Sequence, residues 1–225
     1  MAQPYHHGAL RAALLNAAEA ILERDGIAAL TLRAAAREAG VSHAAPAHHF
    51  GSLSGLLSEL AASGFVRFRE RMQAEAEAAG PDPKAHVIGI GRGYVGFART
   101  CPGLFLLMFR SERLDWSSPA LSNSGAAAFA LLTQPGTEAE AQYASPSLQT
   151  LVAATERWSL VHGLATLVID GRLGPVADRV VPGADIETLI NEVLTSGLRP
   201  ASSTCWTEAA IGRDQDGVLM VTPKR

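Results

Sequence analysis

The sequence predicts an all-α fold, with a head of three N-terminal helices and a larger helical bundle behind it. Three observations carry this. The 225 residues include 40 alanines against 6% aromatics, and alanine is the best helix former and a poor strand former. Apolar residues recur at helical spacing along most of the chain. Glycine and proline fall where helices would end, most clearly at Gly80-Pro81-Asp82-Pro83.

Leu10, Leu14, Ala17, Ile21 and Leu22 share one helical face, predicting a helix from about Leu10 to Arg24 that stops at Asp25-Gly26. Thr31 is a good N-cap for a second, short helix with a small inner face of Leu32, Ala35, Ala36 and Ala39, ending at Gly40. Ser42 is expected to cap a third helix from about His43 to Phe50, with Pro46 in its first turn. Two short helices around a glycine turn make a helix-turn-helix, although an ordinary helical hairpin inside a bundle has the same pattern.

Ser52 or Ser54 opens a long fourth helix whose inner stripe is Leu53, Leu56, Leu57, Leu60, Phe65, Phe68 and Met72. A fifth spans about Lys84 to Arg99. Cys101-Pro102-Gly103 then starts the apolar run Leu104 to Phe109. Ser117-Ser118-Pro119 looks like a helix start, and Thr133 to Gly136 and Ala144 to Pro146 look like turns. From Leu148 to Ile169 the pattern is apolar nearly all round, which predicts a buried central helix. Ile186, Leu189, Ile190, Val193, Leu194 and Leu198 form a clean stripe between Asp185 as cap and Pro200 as stop. The expected units are a head over 1–50, a bundle over 51–200 and a polar tail over 201–225 with one strand-like run, Val218 to Val221.

Composition narrows the function. A net charge of −3 excludes a strongly basic coat for nucleic acid but leaves room for a local binding patch. Two cysteines, Cys101 and Cys205, allow neither a disulfide framework nor a Cys-rich zinc site. No apolar run approaches the ~20 residues that cross a bilayer, and the first residues do not read as a signal peptide, so a cytoplasmic protein with no membrane partner is expected. Gly89-Ile90-Gly91-Arg92-Gly93 lacks the preceding strand of a phosphate loop. Cys101 with His162 lacks a third orienting group. No catalytic set, metal site or cofactor is therefore expected.

Tyr5-His6-His7-Gly8, Leu10-Arg11, Thr31-Leu32-Arg33, Ala39-Gly40-Val41-Ser42-His43-Ala44-Ala45-Pro46 and His49-Phe50 together resemble the DNA-binding head of tetracycline-repressor-type (TetR) transcriptional regulators. Trp158-Ser159-Leu160-Val161-His162-Gly163 resembles a Trp…His-Gly signature in the C-terminal domain of one subgroup. The resemblance implies a ligand-responsive regulator, a repressor in the usual case. It would bind a palindromic operator in double-stranded DNA as a homodimer, with a C-terminal bundle for ligand binding and dimerisation. It implies phosphate contacts from Thr31, Arg33, Ser42 and His48, and base-edge contacts from His43 and Ala44; His49 either joins them or packs locally.

Five of the seven histidines lie in the first 50 residues, and the expected recognition helix has no Lys or Arg. DNA affinity is therefore expected to rise as pH falls from about 8 to about 6, where histidine gains charge. Three positions depart from the family pattern: His48 stands for Tyr, Leu53 for a phosphate-contacting Lys, and Ala35 for a larger β-branched residue. They keep open a second reading, a small-molecule-binding or protein-interaction module with a weakened head.

In the C-terminal part, Trp158 and His162 stand one turn apart on one helix face, which suits a pocket for a mostly apolar ligand with one polar group. Tyr94, Phe97, Phe105, Met108 and Phe109 are the other candidate lining residues. Leu189, Ile190, Val193 and Leu194 are the candidate dimer interface, though the same stripe fits a monomer core. Ligand binding would act by shifting the setting of the fourth helix and so the spacing of the recognition helices.

Overall fold

A computed structural model describes residues 5–134, 148–198, 210–213 and 219–222. Ten helices are present among them: α1 (Tyr5–Asp25), α2 (Leu32–Glu38), α3 (Ala45–Phe50), α4 (Leu53–Ala78), α5 (Pro83–Thr100), α6 (Pro102–Arg110), α7 (Pro119–Leu132), α8 (Leu148–Ile169), α9 (Leu173–Val180) and α10 (Ile186–Gly197). The expected all-α architecture is borne out. The expected turn at Ala144 to Pro146 and the residues 135–136 lie outside the described residues.

The caps form as the sequence chemistry dictates. Thr31 Oγ1 accepts from the Ala34 amide at 3.0 Å, Ser52 Oγ from Gly55 at 3.1 Å, Asp82 from Ala85 at 2.8 Å and Asp185 from Thr188 at 2.8 Å. α3 differs: it starts at Ala45, not at His43, and Ser42 does not cap it. The Ala45 amide, which a serine cap would take, already donates to the Ser42 carbonyl at 3.0 Å. Ser42, His43 and Ala44 therefore form a turn ahead of a one-and-a-half-turn helix.

α4 runs through the centre and buries Leu56, Leu57, Leu60, Phe65, Phe68 and Met72 as expected. It lies hard against α5. A Cβ at Gly89 would stand 2.5 Å from the Glu75 carbonyl oxygen, and one at Gly93 2.5 Å from Met72 Cα. The glycine run is thus a helix–helix crossing, with Gly91 on the opposite side facing Leu194 and Leu198. The apolar core is continuous from Leu14 in the head to Leu198 at the end of α10.

Two expectations fail. α8 has the bounds read from the sequence, but it is not buried all round. Ala154, Val161, Leu164 and Ala165 face the core, whereas Leu148, Leu151, Val152 and Leu167 are exposed, Leu148 at 76%. α9 was missing from the sequence reading, although Leu173, Val176, Ala177 and Val180 keep helical spacing. In the tail, β1 (Ala210–Arg213) pairs antiparallel with β2 (Leu219–Thr222), Ile211 opposite Val221, so the strand-like run has a partner strand.

Candidate functional sites

The head is built on small residues. Ala35 and Ala36 of α2 are fully buried, and Pro46 and Phe50 turn α3's inner face onto the same core. What remains outside is Ser42, His43, Ala44, Ala47 and His48, all exposed, with His49 half-buried beside the Phe50 ring. The structure thus brings the expected recognition residues to one exposed edge, as a turn plus the first turns of α3. Thr31 and Arg33 stand exposed at the start of α2. The Thr31 oxygen accepts the cap bond and its O–H is left to donate.

Charge in the head is more selective than the sequence shows. Arg11 is paired with Glu59 and its guanidinium lies 5.7 Å from the Phe50 ring centre, tying α1, α3 and α4 together. Arg24 is held by Asp25 at 2.9 Å and Glu38 at 3.2 Å. Arg33 and Arg37, one turn apart on α2, are exposed and form no salt bridge among the described residues. Arg37 was missed as a candidate; its spacing of four from Arg33 was the available signal. Leu53, where the family pattern has Lys, is half-buried and packs on the core.

Five of the seven candidate ligand residues, Tyr94, Phe105, Phe109, Trp158 and His162, meet directly; Phe97 joins them through Phe68, and Met108 is buried in the same core. Trp158 Nε1–H donates to Tyr94 Oη at 3.2 Å, and Tyr94 Oη lies 2.8 Å from His162 Nδ1. Phe105 stacks on His162 at 5.6 Å between ring centres, and Phe109 lies at 5.0 Å. Phe68 of α4, not singled out for this site, is the hub of the cluster, 4.7 Å from Tyr94 and 5.2 Å from Phe97. Tyr94, Phe105 and Met108 are all but fully buried. Burial pushes the Tyr94 phenol well above its ordinary range, and burial together with the Arg110 charge lowers His162 below the ordinary histidine value.

These rings touch each other rather than surround an open chamber. A small cavity lies beside them, about 10 Å³, room for one water, lined by Val87, Ile90, Leu131, Leu132, Arg157 and Val161 among others. None of the seven lines it.

Of the four interface candidates, Ile190 and Leu194 are buried in the protomer's own core against α5, so their apolar surface is already used; Leu189 and Val193 are half-buried. The larger exposed apolar surface is on α8 and α9: Leu148, Leu151, Val152, Leu167, Val176 and Val180. Gly163 lies on this side and a Cβ there would meet nothing within 4 Å.

Cys101 and His162 are not a pair: Cys101 Sγ accepts from Arg67 at 3.4 Å and His162 is bonded to Tyr94. Among the described residues no group of three or more His, Cys, Asp or Glu is placed to hold a metal, and no helix is long and apolar enough to cross a membrane.

The family model for bacterial regulatory proteins of the tetR family matches residues 14–60, and the model for the tetracyclin repressor-like C-terminal domain matches residues 87–185. A protein of unknown function from Rhodococcus sp. RHA1 is 36% identical, with 87% of this chain and 94% of that chain covered and a TM-score of 0.67. A TetR family transcription regulator from Marinobacter aquaeolei VT8 is 16% identical over 87% of this chain and 98% of that one, with a TM-score of 0.61. The flavonoid-responsive regulator FrrA is 22% identical over 85% and 94%, with a TM-score of 0.56. No curated protein matches the chain.

Proposed function

The chain belongs to the TetR family of transcriptional regulators, and from that premise we propose that it binds a palindromic operator as a homodimer and is released when a small, mostly apolar molecule binds its C-terminal domain. The observation that carries the DNA half is the exposed edge Ser42, His43, Ala44, Ala47 and His48 above a buried Pro46 and Phe50. Such an edge has side chains free for base and phosphate contacts and a rigid floor to hold them in register. Arg33 and Arg37 add the charge that positions it.

Dimerisation is supported by α8. An apolar helix with half its surface uncovered leaves a patch that water does not tolerate cheaply, and a second copy offering the same patch covers both by two-fold symmetry. Gly163 adds to this, since beyond its own turn of helix no described residue of its own protomer comes within 4 Å of a Cβ placed there.

One observation favours the rival reading of a module with a weakened head: the DNA-facing turn and α3 carry no Lys or Arg. Titrating DNA from upstream of the coding sequence into the protein, with anisotropy or gel retardation as readout, separates the two. Retardation of a fragment with an inverted repeat, and none of a scrambled one, supports the regulator. Equal, weak binding to both leaves the module.

A further inference from the structure

The hydrogen bonds around Tyr94 can be assigned a direction, and the assignment leaves one polar group over. The Trp158 indole can only donate, and it does so to Tyr94 Oη at 3.2 Å. The Tyr94 hydroxyl has one hydrogen, and besides the donating indole its one partner among the described residues is His162 Nδ1 at 2.8 Å, which satisfies that hydrogen only as an acceptor. The bonds therefore run from Trp158 to Tyr94 to His162. An imidazole that accepts at Nδ1 is neutral and carries its hydrogen on Nε2. No residue among those described is bonded to Nε2. The open group is a donor.

Its surroundings select what can accept from it. Phe105 stacks on the imidazole with 29° between planes, and Phe109 and Trp158 flank it at 5.0 and 6.1 Å. His162 is half-buried and Trp158 is 37% exposed, so this is the end of the cluster that reaches the surface. The charge that acts on the imidazole is positive: Arg110 of α6, whose own partner Asp170 is 3.9 Å from it. Asp170 is shared with Arg172 at 4.0 Å. Among the described residues no carboxylate is bonded to the ring cluster, so a cation placed there would meet a donor, a positive field and no counter-charge.

We propose that the effector is a flat aromatic molecule bearing an oxygen acceptor, a carboxylate or a phenol oxygen, which takes the Nε2–H of His162, and that ammonium-bearing amphiphiles are refused. The inference rests on the ligand-controlled reading above and names its chemistry. The aromatic body exchanges ring contacts with Phe105, Phe109 and Trp158, and the oxygen completes the chain of hydrogen bonds that starts at the indole.

The test uses the full chain and three matched probes: 2-naphthoate, 2-naphthol and 2-naphthylmethylammonium. Calorimetric titration is expected to give the two oxygen probes at least about tenfold tighter binding than the amine. His162→Phe, which keeps a ring but removes the donor, should erase that preference. His162→Gln, whose amide still accepts from Tyr94 and still donates, should restore most of it. Should the amine bind as tightly as naphthoate, or naphthoate bind His162→Phe as well as wild type, the chemistry named here is overturned while ligand control stands. If no probe binds and none releases operator DNA, both fall.

Discussion

The carboxylate of Glu23 closes the N-terminus of α6: one oxygen accepts from the Gly103 amide at 2.9 Å, the other from Leu104 at 2.8 Å. The helix has no side-chain cap of its own, because its N-cap residue is Cys101. A residue of the head thus satisfies two orphan amides of a helix 80 positions further on. Beside it, Arg67 of α4 holds Glu19 of α1 at 2.7 Å. The other face of α6 presents Phe105 and Phe109 to His162. One nine-residue helix therefore touches the head at its start and the aromatic core along its length.

Glu23→Gln is expected to weaken that joint without removing it, since the amide retains one acceptor oxygen but no charge. A stability loss of about 1 kcal/mol is expected in urea titration, the usual worth of a cap with a favourable dipole. The loss should fall on coupling as well. By reciprocity, an effector and operator that weaken each other in the wild type should do so less in the variant. Unchanged coupling would show that α6 and Glu23 are bystanders.

Gly93→Ala tests the α4–α5 crossing. The new methyl would stand 2.5 Å from Met72 Cα and 2.8 Å from the Arg71 carbonyl, backbone atoms that cannot turn aside. A cost of about 2 kcal/mol is expected from overpacking, read as a lower urea midpoint. Gly163→Ala is its opposite within the protomer, because its Cβ meets nothing there. It should leave protomer unfolding unchanged or slightly stabilised by helix propensity, yet shift the sedimentation equilibrium towards monomer if two α8 helices cross at this point. A Gly163→Ala protein as dimeric as wild type would move the crossing elsewhere.

Much of this fold was legible because helix ends are local chemistry. Thr31, Ser52, Asp82 and Asp185 cap as their sequence contexts dictate, and α8 has the ends its pattern predicts. What was illegible depends on residues far apart in the chain. An all-round apolar helix looks the same whether its second face meets its own core or stands open, so α8 was misplaced as central. Arg24 and Arg37 are equal in sequence, and only the fold shows that the first is tied to Glu38 and Asp25. The start of α3 turned on whether the Ala45 amide took the Ser42 hydroxyl or the Ser42 carbonyl, and it takes the carbonyl. In the aromatic site, spacing put Trp158 and His162 on one face, but the bond between them through Tyr94 needed a second helix. Phe68 was read as core, which it is; that it is also the hub of the site follows only from the packing of α4 on α5 and α6.

Arg33 and Arg37 should carry the salt dependence of DNA binding. Each phosphate contact contributes about one to the slope of log affinity against log salt. Arg33→Ala and Arg37→Ala are each expected to lower that slope by about one, and Arg24→Ala, whose charge is already spent on Glu38 and Asp25, to change it little. His48→Lys should raise both slope and affinity by adding a fixed charge to the exposed edge. Anisotropy titrations over a salt series check all four. An Arg37→Ala protein with the wild-type slope would place α2's second turn away from the backbone.

His162 ties stability to pH. Burial, then the Arg110 charge, hold its folded pKa below the ordinary 6.5. The unfolded chain therefore binds its proton at a pH where the native chain does not. In that window the unfolded state holds more protons, so stability rises with pH. Full stability is present above about 6.5. It is lost as pH falls from there towards the depressed folded value, and the penalty is constant below it. Protonation also reverses the Tyr94 bond: an imidazolium can only donate from Nδ1 to Tyr94 Oη, so the phenol hydrogen is left in a buried ring cluster without an acceptor. Thermal unfolding of wild type between pH 7.5 and 5 should show a Tm decline that is shallower in His162→Gln, which does not titrate. Parallel curves for the two proteins would mean that the decline comes from other groups and that the Tyr94–His162 bond does not hold the imidazole neutral.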